Sequence, residues 1–116
     1  MQVKLMPGDG NCLFHSLSYP RGDHRMVRAS IVRHISNNWD EFKQFVVTRE
    51  RETYLQQMIL PGTWGDELVL RAFSDLAQRQ VRVHSLGQEL ISEYGSREDH
   101  PVNVRFSGGH YDVLLP

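Results

Sequence analysis

One stretch constrains this chain more than any other: Pro7-Gly8-Asp9-Gly10-Asn11-Cys12-Leu13-Phe14-His15-Ser16-Leu17. Gly8 and Gly10 allow a tight turn, and Leu13, Phe14 and Leu17 then follow at helical spacing. Cys12, the sole cysteine, is thereby placed at a helix N-terminus. Unpaired backbone N–H groups and the positive end of the helix dipole gather there. That setting favours thiolate, the nucleophilic form. The same amides can receive the oxyanion formed when a thiolate attacks a carbonyl.

A length of 116 residues allows one domain, spanning 1–116, with no room for a second core. The net charge of -1 provides no basic field for nucleic acid. A single cysteine cannot form an internal disulfide, and a reducing, cytoplasmic or otherwise intracellular setting fits it best. No apolar run approaches a membrane span, and Met1 to Pro7 does not read as a signal peptide. The six histidines form no H-x-x-x-H pair and no carboxylate cluster completes a site, so neither a metal nor any other cofactor is expected.

Met1 to Met6 alternates loosely and reads as a short strand or a leader. Cys12 to Ser18 is the first expected helix, broken by Tyr19-Pro20-Arg21-Gly22. Asp23 caps a second helix over about residues 24–38, with Val27, Ile31 and Ile35 on its apolar stripe and Ala29 and Val32 widening it. Arg25, Arg28 and Arg33 fall largely on its other faces. Asp40 caps a short continuation carrying Phe42, Phe45 and Val46, and Thr48 to Glu52 is charged and expected to be exposed. A third helix carries Tyr54, Leu55, Met58 and Ile59 and stops at Pro61-Gly62. Gly65 or Asp66 opens a helix whose core face is Leu68, Val69, Ala72, Phe73 and Leu76.

The period then changes. Residues 80–86 alternate as a strand, a turn at Gly87-Gln88 leads to a second at 89–94, and further strands follow at 102–106 and 110–116. Helices first and a small, mainly antiparallel sheet late make an α+β fold.

The last strand carries the second chemical feature. Side chains two apart on a strand share a face, so His110 and Asp112 lie together. A carboxylate there fixes the imidazole tautomer and stabilises the imidazolium. Gly108 and Gly109 remove side chains beside the histidine and let a substrate backbone approach. Cysteine, then a distant histidine with its carboxylate, is a workable order for covalent acyl transfer. One reading is that Asp9 holds the glycine turn by accepting backbone N–H bonds, with Asn11 bracing the same turn. The alternative, that Asp9 orients His110 and Asp112 is secondary, stays open from sequence.

Blander readings stand beside these. A lone buried cysteine is more often an inert small hydrophobe. His15, one turn past Cys12, competes as a base but has no carboxylate partner at strand or helix spacing, so His110 is preferred. Trp64 anchors the core or lines a substrate groove, the core being the commoner role.

The run from Asp9 to Leu17, the distant Gly108-Gly109-His110-Tyr111-Asp112, and the middle block Trp64-Gly65-Asp66-Glu67-Leu68 through Ala72 together resemble the ovarian tumour (OTU) family of cysteine proteases over residues 7–115. The resemblance implies a compact papain-like α+β fold. It implies hydrolysis of isopeptide or peptide bonds after the C-terminal Gly-Gly of ubiquitin or a ubiquitin-like modifier, with ubiquitin and polyubiquitin chains as partners and a monomeric enzyme. Cys12 matches the nucleophile, His110 the general base, Asp112 the orienting residue, and Asp9 the acid that shapes the oxyanion hole. Gly10, Gly108 and Gly109 would line a glycine-sized channel. Asn11 and Trp64 are further substrate-contact candidates, and Asp66 or Glu67 would receive arginines of the modifier tail. The chain is near the family's minimum length and ends just after the catalytic strand, as an excised domain would. Two other readings are a viral polyprotein-processing protease of the same class and a non-catalytic ubiquitin-binding module. A complete Cys-His-Asp set argues against the latter.

Overall fold

The computed structural model describes residues 1–46 and 50–116. The elements run β1 (Gln2–Lys4), α1 (Cys12–Ser18), α2 (His24–Asn37), α3 (Trp39–Phe42), α4 (Arg51–Met58), α5 (Glu67–Ala77), β2 (Val81–His84), β3 (Leu90–Tyr94), β4 (Val102–Ser107) and β5 (His110–Leu115). A single 3-10 turn, Lys43–Phe45, extends α3. This is the α+β outline that the change of period predicts. The short N-terminal stretch is a strand, and its place is at the sheet edge.

The sheet order is β1-β5-β4-β2-β3. All pairs are antiparallel except β2 with β4. The hairpin β2–β3 is followed by a loop that returns the chain to the other side of β2, so β4 enters parallel to it. Gly108 and Gly109, with φ of 58° and 84°, then turn β4 into β5. In that register Val104 faces Val113 and Arg105 faces Asp112. Strand alternation therefore gives the sheet an apolar face, with Val81, Val83, Val104 and Val113 buried, and a second face carrying Arg105, His110 and Asp112.

The apolar face is covered by helices. Leu13, Phe14 and Leu17 of α1 are buried with Ile31, Val32 and Ile35 of α2. Asp23 caps α2 by accepting from the Arg25 N–H at 2.8 Å. Ala29 is exposed and Val27 only half-buried, so the stripe is narrower than the sequence suggests. Arg25 and Arg33 are exposed as expected, but Arg28 is buried at 3% exposure. The spacing explains this correction: Arg28 stands three residues before Ile31, four before Val32 and seven before Ile35, on the buried stripe itself.

The continuation α3 begins at Trp39, so Asp40 lies in its first turn, where a carboxylate suits the dipole. Phe42 is buried and Phe45 exposed. Of the charged stretch 48–52, residues 48 and 49 lie outside the described residues, Glu50 and Glu52 are exposed, and Arg51 is half-buried as the first residue of α4. Tyr54 and Met58 of α4 are buried, and Ile59 is exposed just past its end. On α5 Leu68, Val69, Leu70 and Ala72 are buried. Leu76 is exposed. Ser74 takes the buried place near the helix end, donating to Arg79 O at 2.6 Å and Tyr94 O at 3.0 Å. Among the described residues no helix is long and apolar enough to cross a membrane.

Phe14 is fully buried in the core beneath Arg28, whose guanidinium carbon lies 3.9 Å from the ring centroid. Phe14→Ala should lower the unfolding free energy by about 3–5 kcal/mol, the usual cost of a large core truncation. Urea titration measures it. A loss under about 1 kcal/mol would mean that α1 is not anchored by this ring.

Candidate active site

The turn that leads into Cys12 is built from its own side chains. Gly10 has φ 83°, a conformation that favours glycine. Asp9 Oδ1 accepts from the Asn11 N–H at 3.0 Å, closing the turn as expected of an aspartate there. The chain then enters α1 at Cys12, its first helical residue. The Asn11 amide is thus taken, and among the described residues no group accepts from the Gly10 or Cys12 N–H. The Leu13 and Phe14 N–H groups in the first turn of α1 likewise have no acceptor among the described residues, so the loop and the helix start together present a group of open amides beside Cys12.

The Cys12 side chain is held from the sheet side as well. The Tyr111 backbone N–H donates to its Sγ at 3.3 Å. Ser16, one turn further along α1, donates to Cys12 O at 2.9 Å and reaches Tyr111 O at 3.4 Å. Helix α1 and strand β5 are thereby stitched at residue 111, and the sulfur lies beside the strand one residue from His110. Cys12 is 7% exposed.

His110 Nε2 lies 2.7 Å from Asp112 Oδ1, which leaves Nδ1 as the free ring nitrogen. Asp112 is 3% exposed and multiply satisfied. Oδ1 also accepts from the Met6 N–H at 2.8 Å, and Oδ2 accepts from Arg105 Nη2 at 3.2 Å. Burial, the largest single effect, pushes its carboxyl up; the Met6 N–H, His110 and Arg105 together outweigh burial and hold it below the ordinary carboxylate value. The carboxylate therefore stays ionised while buried. Met6 and Arg105 carried no signal in a linear reading, although Arg105 is the cross-strand neighbour of Asp112.

Asp9 contacts a different histidine. Its Oδ2 is 3.2 Å from His15 Nε2. His15 thus has the carboxylate partner that regular spacing did not offer, because the pair closes across the glycine turn. The carboxylate at His110 is that of Asp112, and Asp9 serves the turn. The His15 ring also lies 4.1 Å from that of His24, centroid to centroid. Burial first, and then His15, lowers the His24 pKa from its ordinary value.

The other expected contacts divide. Trp64 is 66% exposed and lies against Gly109, where a Cβ would stand 2.7 Å from the indole; this corrects the core expectation. Gly108 is open on its Cβ side. A Cβ on Gly10 would stand 2.4 Å from Gly62 O, so that glycine is required by the chain itself, on the side packed against residue 62. Asp66 is committed to structure: both its oxygens accept from Tyr54 Oη at 3.1 Å, and Oδ1 caps α5 by accepting from Val69 N–H at 3.0 Å. Glu67 pairs with Arg71 at 3.1 Å. Asn11 is buried, its Oδ1 accepting from Gly62 N–H at 2.7 Å and Arg28 Nη2 at 2.8 Å. Its side chain braces the loop from behind. Among the described residues no cluster of three or more histidine, cysteine or carboxylate side chains is placed to hold a metal.

The chain matches the family model described as OTU-like cysteine protease over residues 7–111. It is 30% identical over 132 residues to an ovarian tumor domain-containing deubiquitinating enzyme of Arabidopsis thaliana, covering 95% of this chain and 42% of that protein. It is 24% identical over 118 residues to a ubiquitin thioesterase of Saccharomyces cerevisiae, covering 98% and 39%. The chain therefore spans less than half the length of either relative. Among solved structures it resembles the viral OTU domain protease from Taggert virus, with 25% identity and a TM-score of 0.85, covering 99% of this chain and 79% of that one. The Hazara virus OTU bound to ubiquitin has the same fold at 20% identity and a TM-score of 0.81, covering 98% and 80%.

The Asp9 turn makes a pH prediction. The Asn11 N–H, aided by His15, lowers the Asp9 carboxyl from 3.8 to about 2. A depressed carboxyl stabilises the fold above its unfolded value, and that contribution is lost as pH falls through the folded value. Asp9→Asn can still accept from the Asn11 N–H but cannot titrate. As pH falls from 3.8 to about 2, wild-type stability should fall more steeply than that of the variant. Urea unfolding at stepwise pH reads the slopes, and parallel lines would mean the turn bond is not made in solution.

Proposed function

The chain belongs to the OTU-like cysteine protease family, and on that premise we propose that it hydrolyses isopeptide or peptide bonds after the C-terminal Gly-Gly of ubiquitin or a ubiquitin-like modifier. The observation that carries the reading is the seam between α1 and β5. The Tyr111 N–H holds the Cys12 sulfur, and the next residues on either side are a histidine and its buried carboxylate. What supports ubiquitin as the class of substrate is the likeness to proteins named for that activity.

In this mechanism His110 takes the Cys12 proton, and the resulting imidazolium donates to Asp112. The thiolate attacks the carbonyl carbon of the terminal glycine, and the carbonyl electron pair moves to oxygen. The Gly10 and Cys12 amides receive that oxyanion, with the helix dipole behind them. The tetrahedral species collapses as His110 gives its proton to the leaving lysine amine, leaving a thioester on Cys12. Water, deprotonated by His110, attacks the thioester and releases the glycine carboxylate and the thiol. Trp64 against Gly109 forms one wall beside the histidine. The open side of Gly108 admits a substrate backbone.

Intact mass after incubation with ubiquitin carrying a C-terminal electrophile tests this. Wild type should gain one ubiquitin and Cys12→Ala none. His110→Ala should react roughly 10²–10⁴-fold more slowly, the usual loss with a general base. His15→Ala should still form the adduct. No adduct on wild type, with Cys12 still labelled rapidly by a small electrophile, would overturn ubiquitin as substrate and favour another acyl substrate. No labelling by either would overturn the hydrolase reading.

A further inference from the structure

We propose that Arg28 is a positioning residue for acyl transfer, a fork that sets the amides of the nucleophile loop from behind; this rests on Cys12 acting as the nucleophile.

The guanidinium is buried on α2. Nη1 donates to Met58 O at 2.8 Å. Nη2 donates to Asn11 Oδ1 at 2.8 Å and to Thr63 O at 2.9 Å. One face lies over Phe14. Among the described residues no carboxylate lies within ion-pair distance of it. A buried cation with only neutral acceptors is costly, and burial pushes its guanidinium pKa below the ordinary value. An apolar side chain would fill the same place at less cost. What an apolar residue cannot do is join three chain segments at one planar group.

The joined segments are the nucleophile loop at Asn11, the end of α4 at Met58 and the connection at Thr63. Asn11 Oδ1 accepts a second bond from Gly62 N–H. Gly10 packs so closely on Gly62 that no side chain fits between them. The loop and the connection are therefore locked back to back, with Arg28 as the shared donor. Two of the amides that stay without an acceptor among the described residues, those of Gly10 and Cys12, flank Asn11 on either side. Their aim follows from where the Asn11 side chain is held. The next residue of the connection, Trp64, lies on Gly109 beside His110. One buried fork thus sets the spacing between the two halves of the site.

Arg28→Lys keeps the charge but replaces the fork with a point donor. The first arm compares turnover of a ubiquitin C-terminal amide with alkylation of Cys12 by iodoacetamide. Displacement of iodide forms a carbon–sulfur bond and no oxyanion, so alkylation reads the thiolate and its access but not oxyanion binding, and Arg28→Lys leaves the buried charge in place. In Arg28→Lys, kcat should fall roughly 10–100-fold, in line with a misplaced or lost oxyanion donor. KM and the alkylation rate should stay within about twofold. Asn11→Ala should show the same split, and the double variant should lose no more than the worse single one. Equal losses in turnover and alkylation, additive losses, or unchanged kcat would overturn the proposal.

The second arm needs no turnover. Hydrogen exchange of the amides at residues 9–12 should quicken in Arg28→Lys while amides of the sheet keep wild-type rates. Unchanged exchange at 9–12 would overturn the fork. A wild type that turns over nothing would sink the hydrolase reading alone, and the exchange arm would still decide whether Arg28 holds the loop.

Discussion

A helix of seven residues cannot hold itself together in water, because the cost of nucleating the first turn is not recovered over so short a length. Helix α1 exists because Leu13, Phe14 and Leu17 are buried against the sheet and α2. The position of Cys12 is therefore a property of the core. The sulfur is aimed by apolar packing along one side of the helix and by two hydrogen-bonded stitches to residue 111 along the other. Loss of that packing would release Cys12 together with the helix that carries it.

The sheet supplies the complementary half. Alternation along β5 puts Tyr111 and Val113 in the core and His110 and Asp112 on the opposite face. A carboxylate buried at 3% exposure would by itself take up a proton. Three donors from three parts of the chain prevent that: the Met6 backbone beyond β1, Arg105 on β4, and His110. The edge strand β1 pairs with β5 at Lys4 opposite Val113 and so delivers the Met6 amide to Asp112. A three-residue strand at the margin of the sheet is in this way coupled to the electrostatics of the site.

Features governed by local spacing were legible in the sequence. Cys12 at a helix start, His110 and Asp112 two apart on a strand, Asp23 and Asp66 as caps, and the order of helices and strands all follow from periods and turn residues. Features that close between distant segments were not. His15 and Asp9 meet because the Gly10 turn folds one back on the other, a geometry without a regular period. Sequence leaves Trp64 between the core and a substrate groove, with the core the commoner role, and it is a contact with Gly109, forty-five positions later in the chain, that accompanies its exposed place. Arg28 was misassigned for a different reason: its charge was weighed above its position. Its spacing to Ile31, Val32 and Ile35 marked it as buried, and a cation on a buried stripe was the signal available.

The nature of Arg28's acceptors follows from what lies in front of it. A carboxylate would have been the stronger partner for a buried guanidinium. Placed at residue 11 it would also have set a negative charge beside the amides proposed to receive a developing oxyanion, where the low dielectric magnifies repulsion. Two carbonyls and an amide oxygen satisfy the fork without that charge. The one carboxylate in the loop, Asp9, is turned to its own backbone and to His15. The net effect is a guanidinium behind the loop with neutral oxygens on its fork, and a carboxylate held to the loop's own turn. What Arg28 offers that an apolar residue in its place cannot is the three bonds of the fork, to Met58, Asn11 and Thr63.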